Sequence, residues 1–117
     1  MYKPVDFKPK NYMWYPEVVR EIKKIAQKAA YMKVALNTAY LKCEPGEKKL
    51  ELYQRLIEIQ YIISEAWKTV IDWEGKGELK KYTKEIENAY DLKSKSLKLT
   101  LDRIEETYNE VKKEGQK

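Results

Sequence analysis

The sequence predicts an all-α protein, an antiparallel bundle of three long helices preceded by an extended N-terminal arm. Three observations carry that expectation. Apolar residues recur at alternating steps of three and four through most of residues 16–114, which places them on one side of a 3.6-residue helix. Only four glycines and four prolines occur in 117 residues, nearly all outside the periodic stretches. Apolar residues make up 43% of the chain, enough for one core, and the length is too short for two ordinary domains.

Residues 1–15 combine Pro4 and Pro9, the rings of Tyr2, Phe7, Tyr12, Trp14 and Tyr15, and Lys3, Lys8 and Lys10, with a period of neither 2 nor 3.6. They read as the extended arm. Pro16 opens the first helix, because its missing N–H would be unpaired in the first turn anyway, and Glu17 and Glu21 meet the positive end of the helix dipole. Val18, Ile22, Ile25, Ala29, Met32, Leu36 and Ala39 then form a stripe that runs to about Lys42, widened by Val19, Ala26, Ala30, Val34 and Leu41. The alanines on this helix let a neighbouring backbone approach closely. Glu44-Pro45-Gly46 is a turn, since proline disfavours the helical conformation of the residue before it.

The second helix has the most regular spacing in the chain: Leu52, Leu56, Ile59, Ile63, Ala66, Val70 and Trp73, flanked by Leu50, Tyr53, Ile57, Trp67 and Ile71. Gly75 and Gly77 are expected to stop it. A third helix opens at Glu78 and continues through Leu79, Tyr82, Ile86 and either Ala89 or Tyr90. Past Asp91 the register slips. Regular steps from Ala89 land on Lys93, Ser96 and Thr100, whereas the apolar residues are Leu97, Leu101, Ile104, Tyr108 and Val111. We expect a slightly kinked continuous helix, with a break near residues 91–96, capped by Ser94 or Ser96 and giving a fourth helix, as the close alternative. The run from Leu97 to Leu101 also alternates like a strand, but it is isolated between helical stretches. The domain organisation is thus an arm at 1–15, one helical domain at 16–114 and a frayed tail at 115–117.

Composition excludes several classes of chemistry. Histidine is absent and Cys43 is the single cysteine, so zinc, haem and iron–sulfur sites, disulfide frameworks and histidine-based triads cannot be assembled within the chain. Cys43 has no base to activate it. Gly75-Lys76-Gly77 lacks the spacing of a phosphate-binding loop. Acidic neighbours such as Glu105 and Glu106 do not face each other on a helix and make a poor Mg²⁺ site. The expectation is a non-enzymatic protein without cofactors. No stretch approaches 18 uncharged apolar residues and one free cysteine suits a reducing compartment, so a cytoplasmic protein without membrane contact is expected.

Charge supplies the main functional signal. The chain carries a net charge of +5, and residues 1–43 hold nine basic against three acidic residues, so the first third contains the whole excess. Arg20, Lys24 and Lys28 lie at steps of four on the first helix with Lys23 beside them. This ridge and the arm point to nucleic-acid backbone binding with little sequence specificity. Lys3, Lys8, Lys10, Arg20, Lys23, Lys24 and Lys28 would hold phosphates, while Tyr12, Trp14 and Tyr15 would stack on bases. The helices are too long for a helix-turn-helix reader. Against this stands an acidic row on the second helix, Glu51, Glu58, Glu65 and Asp72 at intervals of seven, which is expected to face the basic ridge and pair with it. In that case the chain is a protein-interaction or assembly subunit, an adaptor, an inhibitor or a self-associating structural protein, and its ten tyrosines and three tryptophans supply the anchors.

Overall fold

In a computed structural model of the protein, which describes residues 16–76 and 83–115, the chain is an up-down-up arrangement of three helices: α1 (Glu17–Lys42), α2 (Glu47–Lys76) and α3 (Lys84–Gly115). The arm expected at residues 1–15 and the start of the third helix at Glu78 lie outside the described residues.

Each boundary has a local cause. Pro16 is the residue just before α1 rather than its first helical one, and its carbonyl accepts the N–H groups of Val19 at 3.0 Å and Arg20 at 3.1 Å. Cys43 ends α1 in an extended conformation and donates its N–H to the Tyr40 carbonyl. Gly46, at φ +153°, starts α2 and accepts the Leu50 N–H; that backbone conformation is open to glycine and costly for other residues. α2 runs through Gly75 and ends at Lys76, within the glycine-containing stretch 74–77 expected to stop it. At the start of α3, Thr83 accepts the Ile86 N–H on its hydroxyl at 3.2 Å, an N-cap that the sequence reading overlooked.

No fourth helix forms at residues 91–96, because α3 is continuous there. The apparent slip disappears once Tyr90, and not Ala89, is the inward residue: Tyr90 is half-buried against the core, Ala89 is exposed, and Leu97 follows Tyr90 by two turns. The intervening inward position is Lys93, which is satisfied by Glu65 of α2 at 2.9 Å. A polar residue at a seam can thus look like a change of register. Length does not require a break either, since α2 has 30 residues and the described α3 has 32.

Contacts set the directions. Lys33 meets Gln60, and the rings of Tyr40 and Tyr53 lie 6.0 Å apart, so α1 and α2 are antiparallel. Lys28 meets Glu105, and the rings of Tyr31 and Tyr108 lie 6.3 Å apart, so α1 and α3 are parallel. The core is one cluster in which the predicted stripe of α1 is buried from Val18 to Leu36; Ala39 is half-buried. Ala26 and Ala29 are fully enclosed, as a close helix approach requires. On α2, Leu52, Ile59, Ala66, Val70 and Trp73 are buried as expected, and Ile62 and Thr69 join them without having been anticipated. Thr69 satisfies its hydroxyl on the Glu65 carbonyl at 2.9 Å.

Candidate functional site

Of the predicted binding residues, Arg20, Lys23, Lys24 and Lys28 lie on α1, while Lys3, Lys8, Lys10, Tyr12, Trp14 and Tyr15 fall outside the described residues. The four cations do not form an uninterrupted positive ridge. Arg20 is 3.9 Å from Glu17, Lys24 is 3.6 Å from Glu21 and Lys28 is 3.0 Å from Glu105 of α3. Lys23 is half-buried and likewise engaged. Carboxylates therefore alternate with the cations, which lowers the local potential a polyanion would meet. These are exposed pairs, each worth about 0–1 kcal/mol, so they neutralise more than they stabilise.

The acidic row of α2 does not face this ridge, contrary to expectation; it faces α3. Glu58 accepts from Arg55 at 3.2 Å and from Arg103 of α3 at 3.0 Å, Glu65 accepts from Lys93, and Asp72 accepts the Tyr90 hydroxyl at 3.2 Å. The ammonium of Lys93, hydrogen-bonded to Glu65, holds that carboxyl below its usual range. Arg55 also donates from Nε to the buried Thr107 hydroxyl at 3.3 Å, which joins α2 to α3 through a small polar network. A heptad spacing of acids is legible in sequence. Which neighbour it meets depends on how the helices are arranged around it.

Two other features complete the surface. A cleft of about 540 Å³ opens at one end of the bundle, walled by Ala35, Ala39, Leu52, Tyr108 and Val111, with Cys43, Lys42, Lys48 and Lys112 at its rim. Burial pulls the Lys48 ammonium down, but its hydrogen bonds to Glu110 at 3.1 Å and Glu51 at 3.3 Å outweigh this and raise it above the ordinary lysine range. Its charge is spent within the fold. Among the described residues no group of three or more Cys, Asp and Glu is placed to hold a metal ion, and no helix is long and apolar enough to cross a membrane.

The second feature is the open side of the α1–α2 pair, opposite α3. Charged residues of α2 between Leu50 and Ser64, namely Glu51, Arg55 and Glu58, all turn toward α3 or its partners. The other flank carries Leu50, Tyr53, Ile57 and Tyr61, at steps of three, four and four, each 49–59% exposed. Beside them α1 contributes Val34 and Leu41, 69% and 70% exposed. Five of these six were assigned by spacing to the margins of the core stripes; Tyr61 was not placed at all. The signal for an open face was the width of the apolar arc on α2, too broad for one neighbour, with no charge on its outer edge. Compared with protein-family models, with curated proteins and with solved structures, the chain gives no match.

Proposed function

We propose that the chain is a protein-interaction or assembly module, with no catalytic centre of its own, that docks through the open side of the α1–α2 pair. One observation carries this reading: six large apolar or aromatic side chains are 49–70% exposed on one side of two adjacent helices, and the cations described beside them are engaged, Lys33 by a hydrogen bond to Gln60 at 2.6 Å and Lys49 by the Tyr40 ring, 4.8 Å from its ammonium. Contiguous apolar surface of this kind is costly in water and is characteristic of surfaces that become covered. Tyrosines suit the role, since the ring is buried on docking while the hydroxyl keeps a polar partner.

A second reading, nucleic-acid backbone binding by the arm and α1, is favoured by the surplus positive charge of residues 1–43 and by the exposure of Arg20 and Lys24, whose side chains are 58% and 69% accessible. A phosphate can displace carboxylates held at 3.9 and 3.6 Å.

Two titrations of the full chain test the readings. In the first, an apolar fluorescent dye is added at submicromolar protein to the wild type and to a variant carrying Ile57→Glu and Tyr61→Glu. Dye fluorescence that falls in the variant, with unchanged helical circular dichroism, supports the interaction reading; equal fluorescence at a concentration where the wild type is monomeric overturns it. In the second, labelled single- and double-stranded oligonucleotides are titrated over a salt series. Salt-sensitive binding lost in Arg20→Glu with Lys24→Glu supports the second reading, and absence of binding at about 50 mM salt removes it.

A further inference from the structure

We propose that the occupant of the open α1–α2 face is a second copy of this chain, docked about a two-fold axis with the two α1–α2 layers packed against each other. The inference rests on the interaction reading above and names its partner. A two-fold contact sets one patch against itself, so any charge near the axis meets its like. The open flank of α2 meets the requirement, since it carries no charged residue from Leu50 to Ser64; the two cations beside it, Lys33 and Lys49, keep their charge but are held along the seam with α1, by Gln60 and by the Tyr40 ring. The polar residues among the apolar ones are Asn37, Gln54 and Ser64, all exposed. Amides and hydroxyls both donate and accept, so each can pair with the same group of the other copy, which carboxylates and ammonium groups cannot do.

Area and charge agree with this. The exposed parts of the six apolar side chains amount to roughly 700 Å² per copy, close to the roughly 800 Å² that each partner contributes to a standard stable interface. The outer side of α3 offers no such surface, since exposed Leu92 and Leu99 stand among Lys95, Lys98, Asp102, Arg103 and Glu106. The basic segment of α1, Arg20 to Lys28, ends nine residues before Asn37, roughly 14 Å along the helix. An antiparallel crossing centred on the patch therefore holds the two Arg20–Lys28 segments more than a Debye length apart at physiological salt, which limits the repulsion between them.

The test is sedimentation equilibrium of the full chain from about 1 to 100 μM, beside Ile57→Glu with Tyr61→Glu and, as a control on α3, Leu99→Glu. The expected result is a mass of twice 14.0 kDa for the wild type and for Leu99→Glu, with self-association weakened about a hundredfold or more in the double variant at unchanged helicity. A dimer that the double variant leaves intact, or that Leu99→Glu disrupts, overturns the inference. So does a monomer across the whole range, and the dye titration then separates the causes. A monomeric chain whose face still binds dye leaves the face to a different protein, whereas a monomer without dye binding removes the interaction reading as well.

Discussion

Leu99 and Leu101 lie two residues apart in the one stretch where helix and strand patterns compete, and their replacement by alanine separates the two. On a strand the leucines at 97, 99 and 101 would share a face and contribute alike. On α3 they do not: Leu101 is 2% exposed in the core, and Leu99 is 74% exposed. Truncating Leu101 removes three buried carbons and leaves a cavity among side chains of all three helices, for a loss of about 3 kcal/mol within the 2–5 kcal/mol usual for buried leucine. Truncating Leu99 removes atoms already in water and places a better helix former there, so the change stays within about 0.5 kcal/mol. For a domain of this size 3 kcal/mol corresponds to a drop in Tm of about 12 °C. Urea unfolding followed by circular dichroism, at one fixed protein concentration, measures both variants. A Leu99→Ala loss above about 2 kcal/mol, or equal losses at the two sites, would refute the register of α3 and with it the assignment of its inner and outer faces.

Three further outcomes are expected. Ala26 has no exposed surface where α1 is closely packed, so Ala26→Leu should overpack the core and cost about 1–3 kcal/mol in the same urea assay. Glu58→Ala removes the carboxylate shared by Arg55 and Arg103 and leaves Arg55, only 19% exposed, without it; a loss of about 1–3 kcal/mol that persists at high salt is expected, whereas a surface pair would contribute less and be screened. In thermal melts against pH, stability should be level between about pH 5 and pH 10 and fall on both sides. On the alkaline side, burial raises the Tyr108 hydroxyl above its ordinary 10.0, with the hydrogen bond to Tyr31 adding to it, and Lys48 is raised above 10.5, so the stabilisation from both is complete below those values and is lost as pH rises past them. On the acid side Glu65 is lowered below 4.5, so its contribution is present above that value and is lost as pH falls; Tyr108→Phe should make the alkaline limb shallower, leaving the part due to Lys48, and should leave the acid limb unchanged.

The candidate site was less legible than the fold. The basic residues Arg20, Lys24 and Lys28 stand out in the sequence because steps of four are visible along a single helix, and two of their carboxylate partners, Glu17 and Glu21, are just as local. The third, Glu105, lies 77 residues away and belongs to a different helix, so nothing near Lys28 announces it. The acidic row on α2 shows the same limit: its period was plain, its partner was assigned to the wrong helix, and Lys93 was read as a slip of register in α3 because its match, Glu65, is 28 residues distant.

What the sequence by itself determined is therefore whatever depends on neighbours within a turn or two: three helices, the ends of α1, the turn at Glu44 to Gly46, and the inward stripe from Val18 to Leu36. Helical periodicity and the conformational limits of proline and glycine act over a few residues, and they leave their mark on the string of letters. Only the tertiary structure decided which part of each apolar arc was covered. Ile62 and Val34 are both large aliphatic residues beside a core stripe, yet Ile62 is enclosed by its neighbours and Val34 faces outward, because α3 lies on one side of the α1–α2 pair and nothing within the described chain lies on the other. Burial is a property of a residue's surroundings, and those are set by how three amphipathic helices divide their apolar surfaces among themselves.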